Sequence, residues 1–458
     1  MLSIEYRQPG DEAAVNGGGA TSRVVRVLPP DGASVGLARR MVRTLLGATP
    51  MEAFTDDAVL VVSELVTNAL VHAGGEVHLT LALSGSGLRV DVADDSAHPP
   101  VRRDYSTSSG TGRGLHLIES LVTRWSTFRL GQGKVVWVEM EDPQGAPFAG
   151  ARPSLTAPEL AAEDVAQVEL RNVPLLMHAA WQEHASALLR EHLLVKLDED
   201  PTILERHARA SDAMNILHEQ VPVPDLGADP DAVMANALEP HVSIESMTLR
   251  VPGRSVAHFA VLDELISDAL HLAASHHLLV PPTQPEVRAM SHWLCVEVTE
   301  QSGSGRPPRS WSAPEPHRTA GPRGPDSGIE GWDSTEVSGS PQALLATDDA
   351  SLIVAVSPSA LAVLGYEDAG DLVGRAVTCI VPPRYRQAHI AGTTLHVVNG
   401  RAPLLGHAIT VPVVLADGQE ATREMTVVSR PLATGRRLFV AEFTPGPAAP
   451  TGMDPPRH

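Results

Sequence analysis

The sequence predicts an α+β protein built from three unlike blocks. Paired segments with two-residue apolar alternation are joined by glycine turns, as in antiparallel strands. Other segments space their apolar residues three and four apart, as on one face of a helix. Tracts rich in Pro, Gly and Ser then cut the chain into pieces. At 458 residues the chain exceeds a single core, and the usual ~100–200 residues per domain gives about three. The predicted organisation is a disordered lead over 1–20, a mixed block over 21–142 and a helical region over 159–300. A disordered linker over 301–340, an α/β block over 341–445 and a disordered tail over 446–458 follow.

Composition narrows the function classes. A formal charge of −20 with no long Lys/Arg block argues against a nucleic-acid binder, whose counterion release requires a basic surface. Cys295 and Cys379 are the two cysteines, and without a CxxC they support neither a disulfide framework nor a thiolate zinc site. The N-terminus lacks a basic segment followed by an apolar one, and no apolar run reaches the ~18 residues of a membrane helix. A soluble protein of the reducing cytoplasm, with no membrane partner, is the expectation.

In the first block, "RVVRVLPP" is a β-branched run stopped by prolines. "SVGLARRMVRTLLG" then places Val35, Ala38, Val42 and Leu45/Leu46 at helical spacing before a glycine. "TDDAVLVVSELVTNALVHAGG" is a helix with Thr55 as N-cap, Asp56 and Asp57 at the positive end of its dipole, and Gly74 and Gly75 as its stop. "EVHLTLAL" and "LRVDVAD" form a hairpin across "SGSG". The loop "SAHPPVRRDYSTSSGTG" leads into the helix "RGLHLIESLVTRW". "RWSTFRL" and "KVVWVEM" close a second hairpin across "GQG". Helices on one face of a mainly antiparallel sheet are the expected result.

Residues i and i+4 share a helix face, so Glu64 and Asn68 point the same way, with Val71 and His72 about a turn beyond. The Asn68 amide oxygen is a neutral hard ligand suited to Mg²⁺, which takes one or two protein ligands besides phosphates. Glu64 can accept a proton from, or orient, a hydroxyl attacking a γ-phosphate. Asp94, ending a strand in "VADDS", can accept a hydrogen bond from an adenine amino group. In "GTGRGL", Gly110, Gly112 and Gly114 let backbone N–H groups approach phosphate oxygens at a helix start. A histidine near a helix end, such as His72, more commonly packs or faces the dipole than accepts phosphate.

Together "ELVTN" on a helix, Asp94 after a strand and "GTGRGL" opening a helix resemble the GHKL ATPase/kinase superfamily. Within it they resemble the anti-sigma-factor serine kinase branch of actinobacteria, as do "RGLHLIESLVTRW" and "GKVVWVEM". The resemblance covers about 21–142 and implies a Bergerat-type α/β sandwich with an ATP pocket. It implies Asn68 at Mg²⁺, Glu64 in the base-like catalytic role, Asp94 at adenine, and Gly110, Gly112, Gly114 and Leu115 in the ATP lid. The superfamily's Asp-x-Gly-x-Gly stands here as Asp94-Asp95-Ser96, without its glycines. The activity implied is ATP-dependent phosphorylation of a Ser/Thr on an anti-sigma-antagonist protein, with a sigma factor as a further partner. The alternative is a non-catalytic, nucleotide-binding partner-switch scaffold, motivated by those missing glycines.

The middle block carries four helical segments, and a bundle is expected. His178, His184, His192, His207 and His218 match no metal-ligand spacing. They are expected as surface histidines of a docking, relay or dimerisation segment, the last of which would make a homodimer. In the third block an apolar strand, short helices and three alternating strands joined by "ADGQ" and "LATGRR" predict a sheet wrapped around a small pocket. "VLGYEDAGDLVGRAV" and "LADGQEATREMTV" resemble a PAS domain over 341–445, a sensor fold that does not name its ligand. "VPPRYRQAH" resembles the helix carrying the proximal ligand of haem-binding PAS domains. That makes His389 a candidate haem ligand and opens the reading of a haem-PAS regulated histidine-kinase-like protein. The position aligning with the distal arginine is Ile409, however, and a solvent-facing or capping histidine is the other reading.

Overall fold

The computed structural model describes residues 22–47, 49–84, 87–95, 118–130, 133–141, 164–197, 199–200, 202–224, 238–239, 241–314, 332–400, 404–432 and 436–444. The chain divides into two compact units, one formed by Met1–Asp164 with Leu197–Asn215 and the other by Val165–Lys196 with Ile216–His458. Both combine helices with antiparallel sheet, the predicted α+β class.

In the first unit β1 (Ser22–Leu28), β2 (Val77–Ser84), β3 (Gly87–Asp94), β4 (Arg124–Leu130) and β5 (Gly133–Glu141) form one sheet in the order β1-β2-β3-β5-β4. Every neighbouring pair is antiparallel. The hairpins pair Ser84 with Gly87 and Leu130 with Gly133, where the glycine turns predict them. Period-two alternation gives the sheet one apolar face: Val77, Leu79, Leu81, Leu88, Val90, Val92, Val136, Val138 and Met140 are buried in one cluster.

Two helices supply the other half of that core. In α1 (Ala33–Leu46), Ala38, Val42 and Leu46 lie on the buried stripe. In α2 (Thr55–Ala73), Ala58, Val61, Val62, Leu65, Val66, Ala69 and Leu70 do the same. Thr55 is not the N-cap the sequence suggests. A 3₁₀ turn over Glu52–Phe54 precedes the helix, and the Thr55 hydroxyl donates back to the Glu52 carbonyl at 2.7 Å. Gly74 does terminate α2, at φ +63° with its N–H bonded to Leu70 O.

The second unit opens with a feature missed in the sequence. β6 (Val165–Pro174) and β7 (Ser243–Pro252) form a two-stranded antiparallel ribbon within the block expected to be helical. The predicted helices are also present: α3 (Leu175–Lys196), α4 (Ile203–Gln220), α5 (Val256–Ala274) and α6 (Pro285–Ser304). Helix α4 contributes its residues through Asn215 to the first unit.

Order also extends into both ends of the tract expected to be a disordered linker. Helix α6 runs to Ser304, and Trp311 is buried, its N–H donating to Arg171 O and its carbonyl accepting from the Asn172 side-chain amide. At the other end α7 (Thr335–Ser338) buries Val337 against Ala346, Ala355, Leu438 and Val440. Two apolar anchors, Trp311 and Val337, suffice to fix short flanking segments. Residues 315–331 lie outside the described set.

The third block has the predicted helices and three-stranded meander, but it opens with two strands where the sequence predicts one, and its second helix is long. β8 (Ala343–Asp348) and β9 (Ile353–Val356) are followed by α8 (Pro358–Leu364) and α9 (Pro383–Asn399). The meander β10 (Ala408–Val414), β11 (Glu420–Pro431) and β12 (Arg437–Phe443) completes a sheet ordered β10-β11-β12-β8-β9. Helix α9 packs on α3 of the same unit, Ala391, Ala388 and Leu395 lying against Leu176, Ala180 and Val242. Gln387 secures the contact, accepting from the Leu176 N–H at 2.9 Å and donating to Ser243 Oγ at 3.0 Å.

Candidate functional site

Helix α2 presents Glu64 and Asn68 one turn apart, both half-buried, beside an exposed Thr67, while Ser63, Leu65, Val66, Ala69 and Leu70 are buried. The burial pattern leaves these two polar groups at the rim of the apolar stripe, where they can meet both solvent and a ligand. Neighbouring Ser63 is buried, accepts from Arg39 Nε at 2.8 Å and donates to Val59 O, which ties α2 to α1. His72 is half-buried in the last turn, the position of a dipole-facing imidazole.

Asp94 closes the apolar ladder between β3 and β5. Three rungs, Leu88 with Met140, Val90 with Val138 and Val92 with Val136, are followed in register by Asp94 with Lys134. Period two therefore puts both charged side chains on the helix-covered face. They are only 5% and 6% exposed, and Lys134 Nζ lies 2.9 Å from Asp94 Oδ1. A Cβ on Gly133 would lie 2.1 Å from Asp94 O, so only glycine lets the start of β5 press this closely on the end of β3. A Cβ on Gly75 would lie 3.3 Å from Asp95 Oδ2, so the turn after α2 meets the residue following Asp94.

Thus the C-terminal end of α2, the start of β2, the end of β3 and the start of β5 gather at one end of the sheet. Asn68 offers one neutral amide oxygen, which fits Mg²⁺ held chiefly by nucleotide phosphates, with the Glu64 carboxylate one turn before it on the same helix. Among the described residues no group of three His, Cys, Asp or Glu could enclose a metal. That is compatible with an ion that takes most of its ligands from phosphate and water. Gly110, Gly112, Gly114 and Leu115 fall outside the described residues.

Residues 28–140 match the family model of the histidine kinase-like ATPase domain. Over this stretch the chain is similar to histidine kinase-like ATPase domains. No curated protein matches the chain. One similar solved structure is the PAS domain of an HTR-like protein from Haloarcula marismortui. It is 18% identical, with 24% of this chain and 86% of that chain covered and a TM-score of 0.20. Another is an RNA-binding light-oxygen-voltage receptor, 14% identical, with 92% and 95% covered and a TM-score of 0.19. At these scores neither likeness bears on fold or function here.

Helix α4 gives the first unit a support that the 21–142 block does not contain. His207 Nδ1 lies 3.3 Å from Val71 O, one of the last-turn carbonyls of α2 that no intrahelical N–H can reach. Gly74 makes room for the helix, since a Cβ there would meet Ala208 Cβ at 2.5 Å. The sequence pattern places His207 at the surface, but it is buried, as are His178, His184 and His192. Their helices pack on several sides, which helical spacing alone does not reveal. His178 is fully buried, and burial with the nearby His218 pushes it down to about 3. His184 is pushed to about 4 by burial and offset by the Pro281 carbonyl, 2.9 Å from its Nε2. His218 Nδ1 lies 3.2 Å from Gln182 Oε1.

His389 lies on α9 with a buried, unpartnered Nδ1, and burial lowers it to about 4, so its ring is neutral as an axial ligand must be. The described residues supply nothing else of a haem site. The core of this block is filled by Ile353, Val356, Leu364, Val411 and Phe443, with Ile409 packed against them. These residues do not fit a haem, and no chemistry is assigned to one.

Among the described residues, no helix is long and apolar enough to cross a membrane. Sequence reasoning missed Lys134 as a site residue. The available signal was its phase: in "KVVWVEM" a lysine occupies the position that alternation reserves for the apolar face.

Proposed function

We propose that this chain is a cytoplasmic signalling kinase that binds Mg²⁺·ATP in its histidine kinase-like ATPase domain and phosphorylates a Ser or Thr on a partner regulator. The observation that carries this reading is Glu64 and Asn68, half-buried on one face of α2, a helix whose closing turn at Gly75 meets Asp95, the residue after Asp94.

Asn68 would hold Mg²⁺, which when bound would supply positive charge to offset that of the phosphates. Glu64 accepts the proton of the partner's hydroxyl as its oxygen attacks the γ-phosphorus and ADP leaves. Asp94 accepts a hydrogen bond from the adenine amino group, and Gly110, Gly112, Gly114 and Leu115 would cover the phosphates. The partner would be an anti-sigma-antagonist type protein, with a sigma factor bound in the alternative state. The 341–445 block would be a PAS-type sensor biasing the kinase, with the middle helices as relay or as the interface of a homodimer.

Transfer of label from ATP to candidate partners tests the reading, with acid and base stability separating phosphoserine from phosphohistidine. Labelled phosphoserine is expected; phosphohistidine, or no transfer from protein that binds nucleotide, would overturn it. A second reading, a nucleotide-binding scaffold without catalysis, is favoured by Asp94-Asp95-Ser96, which lacks the superfamily's glycines. Nucleotide binding without transfer to any partner would favour it.

A further inference from the structure

Helices α5 and α6 pack side by side within the second unit, and a cleft of about 490 Å³ opens along their seam, a size usual for small-molecule sites. Ile266 and Leu270, one turn apart on α5, give it an apolar wall. Arg288 and Ser291 line it from α6, and the pair Asp263–His292, with Nδ1 2.7 Å from Oδ2, closes one end.

Two polar groups in this cleft are left over from the packing of the helices. Ser291 is 1% exposed, and its hydroxyl has no hydrogen-bond partner. Other helical hydroxyls of the unit turn back to the carbonyl four residues earlier: Ser186 to Gln182 O, Thr299 to Cys295 O and Ser304 to Glu300 O. Ser291 shares a helix with the last two and makes no such bond, although an alanine there would avoid the cost of a buried, unsatisfied hydroxyl. Arg288, three residues earlier on the same helix face, is exposed and forms no ion pair among the described residues, in a chain of net charge −20.

We infer that the α5–α6 cleft binds a small amphipathic monocarboxylate, paired with the Arg288 guanidinium, accepting from the Ser291 hydroxyl, and covered along its apolar part by Ile266, Leu270 and Ala289. A guanidinium fork matches a carboxylate in two parallel hydrogen bonds, which orients the ligand as well as holding it. Asp263 at the end of the cleft repels a second carboxylate, so a dicarboxylate is rejected. The middle helices therefore carry a ligand site of their own, built from residues that the phosphotransfer reading does not use.

The test is calorimetric titration of the full chain with phenylbutyrate, its neutral amide phenylbutyramide, and adipate, for wild type, Arg288→Gln, Ser291→Ala and Ala289→Phe. Wild type is expected to bind phenylbutyrate saturably and the other two at least about tenfold more weakly. Arg288→Gln should weaken phenylbutyrate by about tenfold and Ser291→Ala by a few-fold, the scales of a charge-assisted and an ordinary hydrogen bond. Both variants should fold, since Arg288 is exposed and the Ser291 hydroxyl has no bond to lose. Ala289→Phe puts a ring into the cleft and should abolish binding. No saturable binding of phenylbutyrate to wild type would leave the cleft to a partner's side chains and overturn the proposal. Binding unaltered by Arg288→Gln and Ala289→Phe would place the ligand elsewhere and overturn it equally. Equal affinity for phenylbutyramide would remove the anion from the recognition, with the same result.

Discussion

Glu64 and Asn68 share a helix face but differ in chemistry, and that difference makes their roles separable by substitution. Asn68 offers a neutral oxygen, so Asn68→Ala should abolish the gain in nucleotide affinity that Mg²⁺ confers, by about tenfold or more, while affinity without Mg²⁺ stays close to wild type. Equilibrium titration with and without the metal measures this, and a variant that still responds to Mg²⁺ would remove Asn68 from the metal site. On the proposed reading Glu64 acts in the transfer step. Glu64→Gln keeps size and hydrogen bonding while losing the base, so phosphotransfer should fall by roughly 10²–10⁴ with nucleotide affinity unchanged. Single-turnover transfer under saturating ATP reads it directly, and an unaltered rate would leave Glu64 with no catalytic role. Both side chains are half-buried, so neither change empties the core.

At the scale of elements, the junction of α2 with α4 is the place where the sequence was legible on one side only. "HAGG" announces a helix stop, and Gly74 provides it at φ +63°. What the glycine also accommodates, Ala208 of a helix more than a hundred residues away, has no local signature. Gly74→Ala should therefore cost more than the ~1–2 kcal/mol of a left-handed non-glycine residue, since its Cβ would lie 2.5 Å from that of Ala208. Adding Ala208→Gly should relieve the contact and leave the backbone cost. In denaturant melts the double variant is expected to be less destabilised than the sum of the singles, and strict additivity would mean that α4 does not sit there. Local patterns were legible elsewhere too: both glycine-turn hairpins and the α1 and α2 stripes follow from alternation and helical spacing. The β6–β7 ribbon and the Asp94–Lys134 pair were not, because each depends on strand pairing between segments distant in sequence. The same holds for the buried histidines, which the burial of several helix faces decides.

For the molecule as a whole, the third block is not a separate bead on a linker. Its α9 packs on α3, and both belong to one compact unit. That unit holds His178, lowered to about 3 by burial and His218, and His184 and His389, each lowered to about 4 chiefly by burial. An unfolded histidine titrates near 6.5, so between about pH 6.5 and 4 the unfolded chain binds protons at these sites that the native unit refuses. Stability is therefore present above the unfolded value and is lost as pH falls. Asp348 acts in the opposite sense, raised to about 6 mainly by burial, so that below this pH the native state binds its proton more tightly than the unfolded chain does. One carboxyl against three imidazoles leaves the net effect destabilising on acidification. Each tenfold weakening of proton binding in the native state is worth about 1.4 kcal/mol, so the loss reaches several kcal/mol. Hydrogen exchange of the full chain at about pH 7 and about pH 5, corrected for intrinsic rates, should show protection of α3 and α9 falling together. His178→Phe removes one of the three proton sites and should shrink that fall. If protection is insensitive to pH, or if the variant's fall matches wild type, His178 already finds a way to be protonated in the native unit. Its two ring nitrogens, both buried without a partner, leave no such route unless α3 itself opens.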